Sequence, residues 1–403
     1  MSALHIPFRH SRSAGEEYLR ANRFTEAEAA FAGEAASRPR DPRPLLALGH
    51  LALMGNDLPR AEQLLSQAVA RDRKCHQASE LLAEVSYRRD DFATAATHQR
   101  AAGNDPIAAK LDSFAGRRPY VIEGPDSTRA PFVRTDPLPI VMVRLNGGAE
   151  VPFFLDTGGA EVILDASFAR ASGVPLFGSQ TAFFGGGKAA GLGHGAVDSL
   201  TIGDTTVRNL PVNVLDLAPM GPMLEAPGLA GCIGTCLLYR FLATIDYPGE
   251  ALVLRRKAPL SKPVDAAIDV PFLLADDHFM LAVGRLNDGS PTTFFVDSGL
   301  AGGAFACPAS TLKEAGVTRG SGPIVEGHGG GGAMKVWPFD VASLSLGDAR
   351  LQGLQGIAGA FPPQLEWAFG FRIGGLISHG FLRSCAVTFD FERMAIRLEP
   401  ASV

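Results

Sequence analysis

The sequence predicts a multidomain protein of α and β type, in which an N-terminal α-helical array precedes a two-lobed, all-β region with pseudo-twofold symmetry. Two observations predict this fold class. In residues 13–104 the apolar positions follow helical spacing and recur with a period of about 34 residues. After residue 119 short apolar runs alternate with Gly, Pro, Asn and Asp, and one pattern in this region occurs twice.

These patterns divide the 403 residues into four segments. We expect helical repeats over residues 13–104, a linker or docking segment over residues 105–118, a first β lobe (lobe one) over residues 119–262 and a second (lobe two) over residues 263–403. A chain of this length is expected to form two or three domains, which agrees with this division.

The composition argues against several classes of partner. A formal net charge of −5 without a basic stripe argues against nucleic acid. Apolar stretches such as Leu45–Met54 are far shorter than the roughly 18–20 residues that span a bilayer, and Met1–Arg12 lacks the apolar stretch of a signal peptide. An odd number of cysteines, five, favours reduced thiols. We therefore expect a cytoplasmic protein with no membrane span.

Small residues recur at matching positions of the helical segment. Gly15, Gly49 and Ala83 are evenly spaced by one period, as are Ala27, Ala61 and Ala95. Small side chains at these points let two helices approach closely. A helix–turn–helix period of about 34 residues resembles the tetratricopeptide repeat. The resemblance implies about three repeats with a groove that binds a peptide or a protein partner. A helical cap packed on the β region is the alternative.

Each β lobe contains an Asp-Thr/Ser-Gly sequence directly after an apolar run. Phe153–Gly158 recurs as Phe294–Gly299, which places Asp156 and Asp297 at equivalent positions on Gly turns. The duplication covers whole lobes, since Leu200–Asp204 matches Leu344–Asp348 and Thr244–Tyr247 matches Thr388–Phe391. We therefore expect Asp156 and Asp297 to be two halves of one site.

Two carboxyl groups about 3 Å apart cannot both ionise readily, so such a pair holds one proton. The ionised member takes a proton from a water molecule that attacks a carbonyl carbon. The protonated member hydrogen-bonds the carbonyl oxygen and stabilises its developing charge. This chemistry requires no metal and no cofactor, and we expect neither. The remaining histidines, including His50 and His194, lack metal-ligand spacing and are expected on the surface or in local hydrogen bonds.

With these duplicated turns, residues 119–403 resemble the retropepsin-like aspartic peptidases of the pepsin and retropepsin superfamily, with two lobes fused in one chain. The resemblance implies that the Thr157 and Ser298 hydroxyls tie the two turns together. It implies that Gly158 and Gly299 let the turn backbone approach the carboxylates. It also implies one or two Gly-rich hairpin flaps over the site.

Two Gly-rich stretches are the flap candidates, and they follow the two Asp turns at similar distances along the chain. They comprise Phe184, Gly185, Gly186 and Gly187 in lobe one, and His328, Gly329, Gly330 and Gly331 in lobe two. Glycine at a hairpin tip permits positive φ and the mobility that a closing lid needs. An ordinary Gly-rich hairpin is the alternative. A phosphate-binding loop is disfavoured because no Gly-Lys-Ser/Thr follows.

Three positions depart from the family pattern. Gly159 and Leu300, directly after the two turns, cannot donate a hydroxyl hydrogen bond to a carboxylate. Fewer donors to the charged form should leave the pKa values of the pair higher, so we expect activity at mildly acidic or near-neutral pH. Ser378 stands where lobe one has Gly234. If close backbone approach is needed there, lobe two is slightly distorted.

We therefore predict an aspartic-type endopeptidase, a hydrolase that cleaves peptide bonds with a water molecule activated between Asp156 and Asp297. The helical repeats would recruit a protein substrate or a regulator. The alternative is a catalytically inactive peptide-binding or scaffold protein that retains the aspartic protease fold.

Overall fold

Three helical hairpins and one further helix form the N-terminal part of the chain in the computed structural model, which describes residues 13–258, 267–287, 289–317 and 323–401. The predicted boundary between the lobes, at residues 262 and 263, lies outside the described residues. The helices are α1 (Ala14–Arg20), α2 (Phe24–Ser37), α3 (Arg43–Met54), α4 (Leu58–Arg71), α5 (His76–Arg88), α6 (Phe92–Ala102) and α7 (Asp105–Asp112).

Close helix pairing explains the repeated small residues. A Cβ atom added to Gly15 would lie 2.4 Å from the ring of Phe31, and one added to Gly49 would lie 2.6 Å from the Leu65 side chain. These two contacts are equivalent because Phe31 and Leu65 follow their glycines at the same spacing in successive repeats. The repeat period therefore reflects the packing of the first helix of each hairpin against the second.

Helix α7 lies in the segment that we predicted as a linker or docking segment. It packs on lobe one, where Ala108 and Leu111 are buried in the lobe-one core. Lys110 is also buried, and its Nζ donates a hydrogen bond of 2.6 Å to Oε2 of Glu161. This part of the segment is therefore a docked helix and not an extended connection.

The remainder of the described chain is rich in β-structure, as the sequence predicts. The strands are β1 (Val121–Glu123), β2 (Ser127–Arg134), β3 (Ile140–Leu145), β4 (Glu150–Leu155), β5 (Val162–Asp165), β6 (Leu176–Phe183), β7 (Ala189–Ile202), β8 (Thr205–Leu215), β9 (Gly231–Ile233), β10 (Leu242–Asp246), β11 (Ala251–Arg255), β12 (Ile268–Ala275), β13 (Phe279–Leu286), β14 (Thr292–Val296), β15 (Phe305–Ala306), β16 (Val325–Gly329), β17 (Gly332–Leu346), β18 (Ala349–Ala358), β19 (Ile373–Ile377), β20 (Cys385–Asp390) and β21 (Ala395–Pro400). Short helices α8 (Ala166–Ala171), α9 (Met220–Met223), α10 (Thr235–Leu238), α11 (Ala309–Glu314) and α12 (His379–Leu382) connect them.

The two lobes repeat the same strand pairings. In lobe one, β4 pairs parallel with β9, β5 pairs with both β8 and β9, and β7 pairs with β6 and β8. In lobe two, β14 pairs parallel with β19, β15 pairs with both β18 and β19, and β17 pairs with β16 and β18. The sequence duplication is therefore a duplication of the whole lobe topology.

A six-stranded sheet joins the two lobes. Its order is β2–β11–β10–β20–β21–β12, with antiparallel pairing throughout. The central pair is β10 with β20, where Thr244 faces Thr388 and their hydroxyl oxygens lie 2.7 Å apart. These two threonines are equivalent in the duplication, so they mark the pseudo-twofold axis.

The helical array is docked on both lobes through the turn of each repeat. Asn22, Asn56 and Asp90 occupy the same position in successive repeats and share a left-handed backbone, with φ of 59°, 59° and 61°. Nδ2 of Asn22 donates to the carbonyl of Arg372 (3.1 Å), and Nδ2 of Asn56 donates to that of Phe391 (2.9 Å). Oδ1 of Asp90 lies 2.7 Å from Nη2 of Arg240 in lobe one.

Arg88, at the end of α5, is the most extensively bonded contact between the array and lobe two. Its guanidinium donates to the carbonyl oxygens of Leu53 (2.9 Å), Leu274 (3.1 Å) and Asp276 (2.6 Å), and to the Glu84 carboxylate (2.7 Å). The side chain is almost fully buried. Across the described ranges, every helix is too short or too polar to cross a membrane.

Replacing Arg88 with Met should lower the free energy of unfolding by about 2–4 kcal/mol, because buried carbonyl groups and Glu84 would lose their donor. The measurement is urea unfolding followed by tryptophan fluorescence and circular dichroism. Arg89→Met is the matched control, since the adjacent Arg89 pairs with Glu62 at the surface and should cost less than about 1 kcal/mol. Equal losses in the two variants would contradict the role given to Arg88.

Candidate active site

The two Asp turns occupy equivalent places in the two lobes. Asp156 follows strand β4, and its backbone N–H donates to the carbonyl of Ile233 on the neighbouring strand β9 (3.0 Å). Asp297 follows strand β14, and its N–H donates to the carbonyl of Ile377 on β19 (2.9 Å). Each turn is thus anchored by the parallel strand pair behind it, which fixes where the carboxyl group emerges.

Reciprocal hydrogen bonds tie the two turns together. The Thr157 N–H donates to Oγ of Ser298 (3.0 Å), and the Ser298 N–H donates to Oγ1 of Thr157 (2.9 Å). Each hydroxyl also donates across the axis, from Thr157 to the carbonyl of Val296 (3.1 Å) and from Ser298 to that of Leu155 (3.2 Å). Both side chains are fully buried. The structure therefore brings Thr157 and Ser298 together at the interface between the two lobes.

Glycine is required beside each carboxyl group. A Cβ atom on Gly158 would lie 2.4 Å from Cγ of Asp297, and one on Gly299 would collide with Oδ1 of Asp156. The Gly158 N–H donates to Oδ1 of Asp156 (3.0 Å), and the Gly299 N–H donates to Oδ1 of Asp297 (2.7 Å). Each glycine therefore admits the carboxyl group of the opposite lobe and supplies a hydrogen bond to its own.

The two carboxyl groups lie side by side, since each packs against the glycine of the opposite turn and each affects the pKa of the other. Burial raises the pKa of Asp156 above its ordinary value. Burial and the negative charge of Asp156 raise the pKa of Asp297 well above its ordinary value. Since the two groups titrate as a unit, the arrangement favours a pair that carries one proton between them.

A cavity of about 430 Å³ lies between the Asp turns and the two Gly-rich hairpins. Five of the predicted flap residues line it together with Asp156 and Asp297: Phe184, Gly185, His328, Gly329 and Gly330. The structure therefore places both candidate flaps on one cavity with both carboxyl groups.

The other three predicted flap residues lie at the hairpin tips, outside the set that lines the cavity. The Gly186 N–H donates to the carbonyl of Ala360 in lobe two (2.7 Å). Gly187 packs against Gln364, and Gly331 packs against Lys188. These contacts cross between the lobes, so the two hairpins meet above the cavity.

Ser378 does not displace the lobe-two turn. Its hydroxyl accepts from the N–H of Leu300 (3.1 Å) and donates to the carbonyl of Asp297. The tight backbone approach in lobe one occurs at Gly234, where a Cβ atom would lie 2.3 Å from the carbonyl oxygen of Glu161. In lobe two it occurs at Gly380, two residues later, against Ala304. The expected distortion is therefore absent at the Asp297 turn.

Sequence reasoning missed one wall of the cavity. Helix α5 presents one face to it, formed by residues at helical spacing: Gln77, Glu80, Leu81, Glu84 and Tyr87. His278 also lines the cavity and, when charged, favours the ionised form of Asp156. His194 and His50 are both buried, so of the two expected positions, on the surface or in local hydrogen bonds, the surface one does not apply to them. Helical periodicity can indicate which face of α5 is buried, but only tertiary packing shows that this face meets the cavity.

A two-lobed β fold with paired Asp turns beneath two Gly-rich hairpins is the architecture of retropepsin-like aspartyl proteases. In agreement, the family model described as aspartyl protease matches residues 141–236 and 282–365. The model described as tetratricopeptide repeat matches residues 18–85. Both resemblances and the predicted fold class are thereby confirmed. No curated protein matches the chain.

Within the described ranges, His, Cys, Asp and Glu side chains nowhere form a group of three or more that could hold a metal ion. The expectation of a reaction without metal or cofactor stays a prediction.

The stability of the fold should depend on pH through the carboxyl pair. A raised pKa in the folded state means that the pair stabilises the fold fully below about pH 4, near the pKa of an unfolded Asp, and that this contribution is lost as pH rises through the folded-state values. Asp297→Asn removes one of the two buried charges. The variant should therefore lose less stability than the wild type between pH 4 and pH 8.

Urea unfolding at the two pH values measures this difference, and one unit of pKa corresponds to about 1.4 kcal/mol, which the method resolves. Asp204→Asn is the control because Asp204 is exposed on a lobe-one hairpin. The predicted coupling is refuted if Asp297→Asn and Asp204→Asn follow the same pH dependence as the wild type.

Proposed function

We propose that this protein is an aspartic endopeptidase, in which Asp156 and Asp297 together activate a water molecule for peptide-bond hydrolysis. The single observation that carries the proposal is the joining of the two Asp turns by reciprocal Thr157–Ser298 hydrogen bonds, with both carboxyl groups lining one cavity. The aspartyl protease family match supports the same class of reaction.

In the proposed reaction the ionised member of the pair accepts a proton from the water molecule while the water oxygen bonds to the scissile carbonyl carbon. The protonated member donates to the carbonyl oxygen, which gives a neutral tetrahedral diol. The diol then collapses as its C–N bond breaks. One carboxyl group gives a proton to the amine nitrogen and the other receives a proton from a diol hydroxyl, so the pair returns to one shared proton.

The substrate is proposed to be an extended peptide that lies between the Asp turns and the two flaps. Apolar side chains from both lobes line the cavity, among them Phe184, Met220, Met334, Val336 and Ile357. Flap strands offer backbone groups for β-type pairing with such a peptide. This lining favours apolar residues next to the scissile bond.

The tetratricopeptide repeats are proposed to act in substrate or regulator binding from a fixed position. Repeats of this kind present extended surfaces to protein partners. Here the array is docked on both lobes through Asn22, Asn56 and Asp90, and α5 lines the cavity. The array is thus both a cap on the lobes and a wall of the proposed binding site.

Asp156→Asn and Asp297→Asn should each reduce peptide cleavage by about 10²–10⁴-fold or more in kcat, because each removes a group needed for proton transfer. The measurement is cleavage of a mixed peptide library, resolved by mass spectrometry. Asp204→Asn, on an exposed hairpin of lobe one, should retain wild-type activity. If the wild type itself cleaves nothing between about pH 3 and pH 8 but binds library peptides, the alternative of an inactive peptide-binding protein replaces this proposal.

The pH dependence of kcat/KM should have its maximum in the mildly acidic to near-neutral range. Burial raises the pKa of both carboxyl groups, and neither Gly159 nor Leu300 adds a hydroxyl donor that would favour ionisation. Initial cleavage rates across a buffer series give the profile. A maximum below about pH 3 would contradict the raised pKa values.

A further inference from the structure

The cavity extends from the Asp turns along lobe one to the helical array, and its far part has a polar wall. Gln180, His194 and Asn213 line it from strands β6, β7 and β8. Gln99 and Asn104 line it from the helical side. Nδ2 of Asn104 donates to Oε1 of Gln99 (2.8 Å). This region therefore differs in chemistry from the apolar part of the cavity beneath the flaps.

His194 and Asn213 are buried polar residues with unused hydrogen-bonding groups. They face each other across the β7–β8 ladder and are only 2% and 6% exposed. No hydrogen bond of good geometry reaches either ring nitrogen of His194 or Oδ1 of Asn213 among the residues that the structure describes, although the Asn213 side chain lies close enough to raise the pKa of His194. Burying such groups without a hydrogen-bond partner destabilises the folded protein. Their position in a cavity wall points to a ligand that forms the missing hydrogen bonds.

The equivalent position in lobe two is apolar. With the offset that relates Thr244 to Thr388, His194 corresponds to Pro338 and Asn213 to Ile357. Pro338 and Ile357 indeed face each other across β17 and β18, and Ile357 lines the cavity. The fold therefore does not require polar residues here, which makes the His194–Asn213 pair specific to lobe one.

The surroundings favour a neutral ligand group. Burial, and secondarily the positive charge of Lys110, lower the pKa of His194 to about 3, although Asn213 acts in the opposite direction. The ring is therefore neutral at the mildly acidic to near-neutral pH expected for activity, with one N–H donor and one acceptor nitrogen. The charge of Lys110 is itself balanced by its buried ion pair with Glu161. Lys110 is therefore already paired and does not offer its charge to a negatively charged substrate group.

We propose that His194 and Asn213 form a specificity subsite of lobe one that binds a neutral substrate side chain able both to donate and to accept hydrogen bonds, namely the carboxamide of Gln or Asn. The assignment rests on the proposed peptidase function for its substrate, but the binding step is separable from cleavage. An apolar side chain in this subsite would leave the buried groups of His194 and Asn213 unpaired, and a site built in this way discriminates against ligands that lack the matching polar group.

The test uses full-length Asp297→Asn protein, which binds without turnover, and an equimolar library of end-blocked decapeptides with randomised positions. Retained peptides are sequenced by mass spectrometry. Gln and Asn should be enriched about tenfold over Leu at one position, since one or two hydrogen bonds are worth about 1.4 kcal/mol. In the same background, His194→Leu or Asn213→Ile should bring this ratio close to one, and Asn213→Ile installs the residue that lobe two uses.

His50→Leu is the matched control, because His50 is equally buried with an unpartnered Nε2 but does not line the cavity. It should leave the enrichment intact. Equal enrichment with and without His194 and Asn213, or no carboxamide preference at any position, overturns the subsite. If carboxamide peptides bind but the wild type leaves them intact, the subsite stands and the peptidase proposal fails. The kcat/KM ratio of matched Gln and Leu peptides gives the same selectivity for an active enzyme.

Discussion

The reciprocal hydrogen bonds between Thr157 and Ser298 are the constraint on which the rest of the site depends. Each hydroxyl accepts from the N–H of the other turn and donates to a carbonyl of the other lobe. Because these bonds are buried at the lobe interface, they fix the spacing of the two turns, and that spacing places each carboxyl group beside the glycine of the opposite turn. The sheet centred on Thr244 and Thr388 holds the same axis from behind. The raised pKa values are consequences of this enforced proximity and of burial.

The two lobes share topology but have diverged in the details that matter for chemistry. The close backbone approach lies at Gly234 in lobe one and at Gly380 in lobe two. Ser378, which stands in lobe two where lobe one has Gly234, accepts a hydrogen bond from the N–H of Leu300. Lobe one carries the polar pair His194 and Asn213, whereas lobe two has Pro338 and Ile357. A twofold scaffold can therefore supply a symmetric pair of carboxyl groups and an asymmetric cavity.

Much of this could be read from the sequence because its signals are periodic. The regular spacing of Gly15 and Gly49 reflects helix pairing, and the recurrence of the Asp156 turn at Asp297 reflects the duplication of a lobe. Neither signal carries information about how the array is oriented on the lobes. The position of α5 beside the cavity depends on contacts such as that of Arg88 with Leu274, two residues that are far apart in the chain. The burial of His194 could not be predicted for the same reason, since it follows from the β7–β8 register and from α7 packing.

The turns at Asn22, Asn56 and Asp90 dock on the lobes, and this limits how the number of helical repeats can change. Free-standing helical repeats gain or lose units readily, because each unit contacts only its neighbours. Here Asn22 and Asn56 bind lobe two and Asp90 binds lobe one, at intervals set by the repeat length. Removing or adding one unit would shift at least one turn off its lobe. The two β lobes therefore restrict the number of repeats, and the array in turn links both lobes.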